Sequence, residues 1–250
     1  MITVENVNKS FYDRPVLKDI DTVFDEGKTN LIIGQSGSGK TVLLKCIVGL
    51  YLADSGEICY HNRNMLSMKM KDRNKLRQEM GMLFQGSALF DSQTVLENIK
   101  FPLDMFTNDT EKEKRKRVDF CLNRVNLPEA HKLYPSELSG GMQKRVAIAR
   151  AMVLNPKYLF CDEPNSGLDP KTALVIDKLI SEITKEFKMT TVINTHDMNS
   201  VMEIGEKIVF IYQGRKCWEG NKDQVLNSGN ESLEKFIFAS DFAQKIKKNM

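Results

Sequence analysis

A chain of 250 residues, 41% hydrophobic and 28% charged, has globular make-up, which excludes a disordered or low-complexity protein. Its 36 basic and 33 acidic residues leave a net charge of +3, too balanced for a nucleic-acid binder or for a protein held by charge to an anionic surface. This length suits one sizeable α/β domain, or a core domain with a small subdomain.

In chain order, "MITVENV" alternates apolar and polar residues and reads as a strand, without the apolar core of a signal peptide. "KTNLIIG" reads as a buried strand that runs into a Gly-rich loop, and "TVLLKCIVGLY" behind it as a helix. "EMGMLF" is the next strand. Residues 84–99, "FQGSALFDSQTVLENI", then set an apolar pair, Leu89 and Phe90, among small and polar residues, and neither strand nor helix period accounts for the pair. A helix-like segment begins at Thr94, and 91–154 reads as a mostly helical subdomain. Its "EKEKRKR" run, 111–117, has mixed signs at its start and reads as a solvated helix face rather than a nucleic-acid patch.

"KYLFCD", "TTVINT" and "KIVFIY" are further strands. "KTALVIDKLISEITKEF" has helical spacing at Leu174, Ile176, Leu179, Ile180 and Ile183, and "KIVFIYQGRKCWEG" suggests an edge hairpin turning at Gln213-Gly214. Strands alternating with helices predict an α/β fold with a mostly parallel, helix-covered sheet. In 231–250, Leu233 with Ile237, and Phe238, Phe242 and Ile246, recur at four-residue spacing. They predict an amphipathic helix capped by Ser232, with Lys245, Lys247 and Lys248 at the negative end of its dipole. Such a helix must bury its face on its own domain, on a second subunit or on a membrane surface, the last being the weakest option because its lysines are few. No apolar run reaches the ~18 residues needed to span a bilayer. The five cysteines, Cys46, Cys59, Cys121, Cys161 and Cys217, form no CxxC pair and read as reduced, small buried hydrophobes.

Three stretches carry chemistry. "GQSGSGKT", 34–41, matches the phosphate-binding pattern G-x-x-x-x-G-K-[ST] between a strand and a helix. Its glycines let backbone N–H groups converge on phosphate, Lys40 can reach the outer phosphates, and the Thr41 hydroxyl suits Mg²⁺. "YLFCDEP" ends a strand in Asp162, suited to Mg²⁺, and Glu163, suited to polarising a water. "LSGGMQKR", 138–145, is a second Gly-rich helix start, a phosphate-binding surface best explained if it serves another subunit's ATP.

Together these stretches resemble the nucleotide-binding subunit of ABC transporters. "GQSGSGKT" resembles Walker A, "LSGGM" the ABC signature, "YLFCDE" Walker B and "NSGLD" the D-loop, in order along the chain. The resemblance implies the ABC ATPase fold: a P-loop NTPase, RecA-like core over 1–90 and 155–230 with an antiparallel β-edge, a helical subdomain over 91–154 and an extension over 231–250. It implies ATP and Mg²⁺ as cofactors. Gly34, Ser36, Gly37, Ser38, Gly39, Lys40 and Thr41 would hold nucleotide, and Phe11, with Tyr12 the weaker candidate, would stack on adenine. Thr41, Asp162 and Gln85 would arrange Mg²⁺, Glu163 would be the general base, and His196 the switch histidine. Ser139, Gly140, Gly141 and Asp169 would complete the site across a homodimer. Gln85 to Phe90 would dock a membrane permease.

Within the family, the 84–99 loop is most similar to MCE-associated lipid transporter ATPases of the Mla type. That implies phospholipid transport, an MCE-domain partner, a peripheral place on the cytoplasmic face of the inner membrane, and a C-terminal helix that exchanges between subunits. An amino-acid or metal importer ATPase is the alternative, and a soluble ABC ATPase acting on nucleic acid or ribosomes a further one. Met142 stands where many signatures carry Gln, and Asn165 where Thr is common.

Overall fold

The computed structural model describes residues 1–238. Strands β3 (Thr29–Ile33), β6 (Met80–Leu83), β7 (Tyr158–Asp162), β8 (Thr190–Thr195), β9 (Lys207–Tyr212) and β10 (Arg215–Gly220) form a six-stranded sheet in the order β10-β9-β3-β8-β7-β6. All its pairs are parallel except β9 with β10, the edge hairpin, which turns at Gln213 and Gly214 with φ of 50° and 80°. A second sheet, antiparallel, has the order β2-β1-β4-β5, from β1 (Ile2–Phe11), β2 (Arg14–Phe24), β4 (Ser55–Tyr60) and β5 (Arg63–Asn64).

The continuous apolar runs of the central strands follow from burial on both faces. Leu31, Ile33, Leu159, Cys161, Ile193, Ile208 and Phe210 face one core, and Ile32, Tyr158, Phe160, Val192, Val209 and Ile211 the other. The second core is closed by β1, β2, β4 and helix α1 (Lys40–Val48). The first is closed by α3 (Val95–Phe106), α4 (Glu111–Arg124), α5 (Gly140–Met152) and α6 (Pro170–Glu186). α3 and α4 begin in capping boxes, Thr94 with Glu97 and Thr110 with Glu113. Between them, residues 91–154 contain no strand. The "EKEKRKR" run lies on α4 and is mostly solvated, but Lys114 is buried against Asp104 at 2.8 Å and Arg117 donates to the carbonyls of Met152 and Val153.

α2 (Met70–Gln78), α7 (Met198–Ile204), α8 (Lys222–Val225) and α9 (Glu231–Ile237) are the other α-helices among the described residues. Asn230, not Ser232, caps α9, accepting a bond from Leu233 N–H. Leu233 and Ile237 are buried in the first core of the same chain, and Phe236 meets Phe210 at 5.6 Å. This half of the tail therefore serves its own domain; Phe242, Lys245, Ile246, Lys247 and Lys248 lie outside the described residues. Cys46, Cys121 and Cys161 are buried, whereas Cys59 is half-buried and Cys217 exposed, so the reading of all five as buried hydrophobes fails for those two. Among the described residues no helix is long and apolar enough to cross a membrane.

Candidate active site

Four loops converge because four neighbouring parallel strands end together. Register pairs Ile33 with Thr195, Asp162 with Asn194 and Leu83 with Cys161. The residues that follow, Gly34, His196, Glu163 and Gln85, therefore leave one edge of the sheet, where open α/β sheets bind ligands.

After β3 the chain turns at Gly34, whose Cβ, were there one, would strike the Ile211 carbonyl. Gly37 has φ of 77° and nothing within 4 Å of its side-chain position, so its backbone stays open to a ligand. α1 starts at Lys40 with no side-chain cap, which leaves its first N–H groups free to bind an anion. Lys40 is 5% exposed and donates to the Gln35 carbonyl at 2.9 Å. Burial lowers its pKa, while Glu163 and Asp162 act in the opposite direction. Ser38 Oγ is buried with no hydrogen-bond partner among the described residues, and Ser36 is exposed beside it.

Thr41 Oγ1 and Asp162 Oδ1 lie 3.4 Å apart, and Asn194 Nδ2 donates to both, at 2.9 and 2.6 Å. A hydroxyl and a carboxylate are hard oxygen donors of the kind Mg²⁺ prefers, so the residues present fit that ion. Gln85 does not join this pair. Its Nε2 donates to Glu163 Oε2 and to Ser166 Oγ, both at 3.2 Å. His196 Nδ1 meets the other Glu163 oxygen at 3.1 Å. Glu163 itself sits at φ 47°, an uncommon conformation for a non-glycine residue, pinned by its N–H bond to the Asn194 carbonyl at 2.9 Å.

The Gln85 loop is held from α5. Lys144 donates to the Gln85 carbonyl, and Arg150 to the carbonyls of Ser87 and Ala88 at 2.8 and 2.7 Å. Burial lowers the pKa of both cations. The loop separates the apolar pair: Leu89 packs on the first core, while Phe90 stays 41% exposed, edge-on to Phe101 at 5.0 Å. Phe84, Phe90, Phe101, Phe106 and Met82 help line an apolar groove of about 320 Å³.

Ser139 and Gly140 are exposed at the start of α5, and Ser139 Oγ accepts from Met142 N–H at 3.3 Å. Gly141 lies so close to α6 that a Cβ would come within 2.6 Å of Thr172 Cγ2. Met142 packs inward on the first core. Asp169 caps α6, accepting from Lys171 and Thr172 N–H groups and from the Thr172 hydroxyl, which with those N–H bonds lowers its pKa. Phe11 packs edge-on against Tyr51 at 5.2 Å, under Lys9, whereas Tyr12 is fully exposed at the β1–β2 turn.

The sequence profile described as ABC transporter matches residues 17–166. The chain belongs to the ABC transporter family. It is 42% identical over 239 residues to the methionine import ATP-binding protein MetN of Clostridium tetani, covering 95% of this chain and 74% of that protein. It is 39% identical over 240 residues to the glutamine transport ATP-binding protein GlnQ of Geobacillus stearothermophilus, covering 96% of this chain and 98% of that protein. Among solved structures it resembles the dimeric post-hydrolysis state of the ATP-binding cassette MJ0796 bound to ADP and Pi, with a TM-score of 0.80 and 33% identity over 89% of this chain and 99% of that one. The chain is thus an ABC transporter ATP-binding subunit and an ATPase, with the ABC ATPase fold.

Four residues that this ABC ATPase brings to the site were not picked out from sequence: Asn194, Ser166, Lys144 and Arg150. Asn194 carried a signal, as a polar residue next to the end of the buried strand "TTVINT", two positions before His196. Lys144 and Arg150 lie six apart on a helix, and nothing local marks them as anchors of a distant loop.

Proposed function

We propose that two copies of this chain close on two ATP molecules and drive an amino-acid importer, as a peripheral subunit on the cytoplasmic face of the membrane. The match to a glutamine transport ATPase across 98% of that protein carries the substrate reading, and the methionine import relative agrees with it. The phospholipid reading, with an MCE-domain partner, rested on the 84–99 loop in combination with "LSGGM". The relatives support the importer alternative instead, and an apolar groove beside Gln85 suits any permease helix that lays an apolar face into it.

In this reading the Gly34–Lys40 amides and the Lys40 ammonium hold the phosphates, and Phe11 stacks on adenine. Thr41 and Asp162 would hold Mg²⁺, which when bound neutralises charge on the phosphate oxygens. Glu163 takes the proton of the attacking water. Each of its oxygens meets one partner, Gln85 or His196, and keeps a further lone pair with which to take the water. His196, held beside Glu163, senses the γ-phosphate. The exposed Ser139 and Gly140 at the open end of α5 face the partner's nucleotide, with Gly141 behind them and Asp169 bracing α6 alongside. ATP then closes the dimer and hydrolysis opens it.

Co-purification from detergent-solubilised membranes tests the partner. The expected permease, reconstituted with its solute-binding protein, has its ATPase stimulated by glutamine or methionine. Recovery of an MCE-domain protein and stimulation by phospholipid would overturn the substrate reading, and recovery of ribosomes alone would overturn transport.

A further inference from the structure

Asn165, in the loop after Glu163, donates from Nδ2 to Asp177 Oδ1 on α6 at 2.7 Å and to Ser200 Oγ on α7 at 3.1 Å. Asp177 and Ser200 are each 1% exposed. Two buried oxygens at this junction have no hydrogen-bond partner among the described residues, and they are the remaining oxygens of the same two groups: Asp177 Oδ2 and Asn165 Oδ1. Two acceptors cannot satisfy each other, and a buried unpaired pair of this kind is costly. One proton on Asp177 Oδ2 removes the conflict. The carboxyl then donates O–H to Asn165 Oδ1 while its Oδ1 still accepts from Nδ2, closing a two-point acid–amide pair.

We infer that Asp177 is a positioning residue which, as the neutral acid, grips Asn165 at two points and so fastens the loop carrying Glu163 to α6 and α7. The groups facing Asp177 agree. They are the Asn165 carboxamide, the Ser200 hydroxyl, the Cys161 thiol of β7, and the carboxylates of Asp197 and Glu203 from α7. Lys178, the next residue on α6, places its ammonium 3.5 Å from Glu203. Burial pushes the Asp177 carboxyl up to about 6, hydrogen bonds from Ser200 and Asn165 act against this, and Asp197 and Glu203 add to the rise. The grip bears on the site through short links. Ser166 N–H donates to the Glu163 carbonyl at 3.1 Å, Ser166 Oγ accepts from Gln85, and α7 begins just after His196. Asn165 thereby has a partner on α6.

The inference rests on the placement of Glu163 and His196 under Proposed function, but its first two readouts need no turnover. Asp177→Asn is isosteric and keeps both bonds at every pH, because its amide donates where the acid did. Since the folded pKa lies above the unfolded one, the stability from Asp177 is complete below about pH 4 and lost as pH rises through about 6. Melting of the full chain should therefore show the two proteins alike near the acid end of this window. Asp177→Asn should melt several degrees higher once the pH is well above 6. Infrared spectra of the wild type below pH 6 should contain the C=O stretch of a protonated carboxyl that Asp177→Asn lacks.

A gap in melting temperature that does not change with pH, or no such band, would overturn the inference. Asp177 would then be ionised and solvated from the cavity of about 210 Å³ beside it, lined by Asn165, Leu168, Asp197 and Asn199. Asp177→Leu, which removes the grip, should lower kcat on the order of tenfold or more with KM for ATP unchanged. An unchanged kcat in a folded Asp177→Leu protein would remove the positioning role. An inactive wild type would sink the ATPase reading while leaving the melting and infrared results standing.

Discussion

Phe90→Asp separates docking from folding, because the ring lies at the boundary between the two. Phe90 is 41% exposed, and its buried part faces Phe101 at 5.0 Å. A fully buried Phe contributes up to ~3 kcal/mol, so a ring that keeps roughly two-fifths in water contributes about 1.5 kcal/mol. The backbone of the loop loses nothing, since Phe90 N–H and C=O are both bonded to the Asn98 side chain. In a domain of this size ~1.5 kcal/mol lowers Tm by about 3–6 °C. Docking should suffer more. A carboxylate pressed without a partner into an apolar groove costs at least ~3 kcal/mol, a hundredfold or more in affinity for the permease. Scanning calorimetry of the isolated chain and permease-stimulated ATPase in detergent measure the two effects separately. A Tm drop well beyond about 6 °C with permease stimulation intact would show that Phe90 is a core residue and that the groove is not the docking surface.

Three other outcomes are expected. Glu163→Gln should bind ATP, accumulate as a dimer and hydrolyse ~10²–10⁴-fold more slowly, and near-normal turnover would remove Glu163 as the base. Lys40→Ala and Ser139→Ala damage opposite halves of a composite site, so mixing the two inactive proteins should restore activity through one intact site per heterodimer. A nucleotide-bound dimer in which Ser139 touches no ATP would falsify the shared site. Leu233→Ala, at a position 0% exposed in the chain's own core, should cost ~2–4 kcal/mol in the nucleotide-free protein. Its self-association by ultracentrifugation should stay unchanged, and an unchanged Tm with weakened dimerisation would return α9 to a role between subunits.

The amino-acid sequence by itself determined the parts of this protein whose physics is local. A strand–glycine loop–helix with Lys40 and Thr41 in register makes an anion cradle wherever it folds, and its elements run as read. β3, β7 and β9 were legible because burial on both faces writes apolar runs into the chain, whereas β8 carries only Val192 and Ile193 among buried polar residues. The Gln213-Gly214 hairpin was legible because both turn residues take positive φ, which such a dipeptide tolerates. β2, β4, β5, α2, α7 and α8 have no counterpart among the elements read from sequence. β2 is interrupted by register shifts against β1 and by the positive φ of Asp19, which blur its two-residue period, and α2 buries only Leu76.

What only the tertiary structure decided are relations between residues far apart in the chain. Asn194 joins Thr41 to Asp162 because β8 lies between β3 and β7, an order that no local periodicity encodes. Lys144 and Arg150 hold the Gln85 loop because α5 packs beside β6, and that same packing takes Leu89 inward and leaves Phe90 in water. The spacing of Leu233 and Ile237 announced an apolar face but not its partner. A helix face is satisfied by any apolar surface, and only the position of the first core beside β9 and β10 put this one on its own domain.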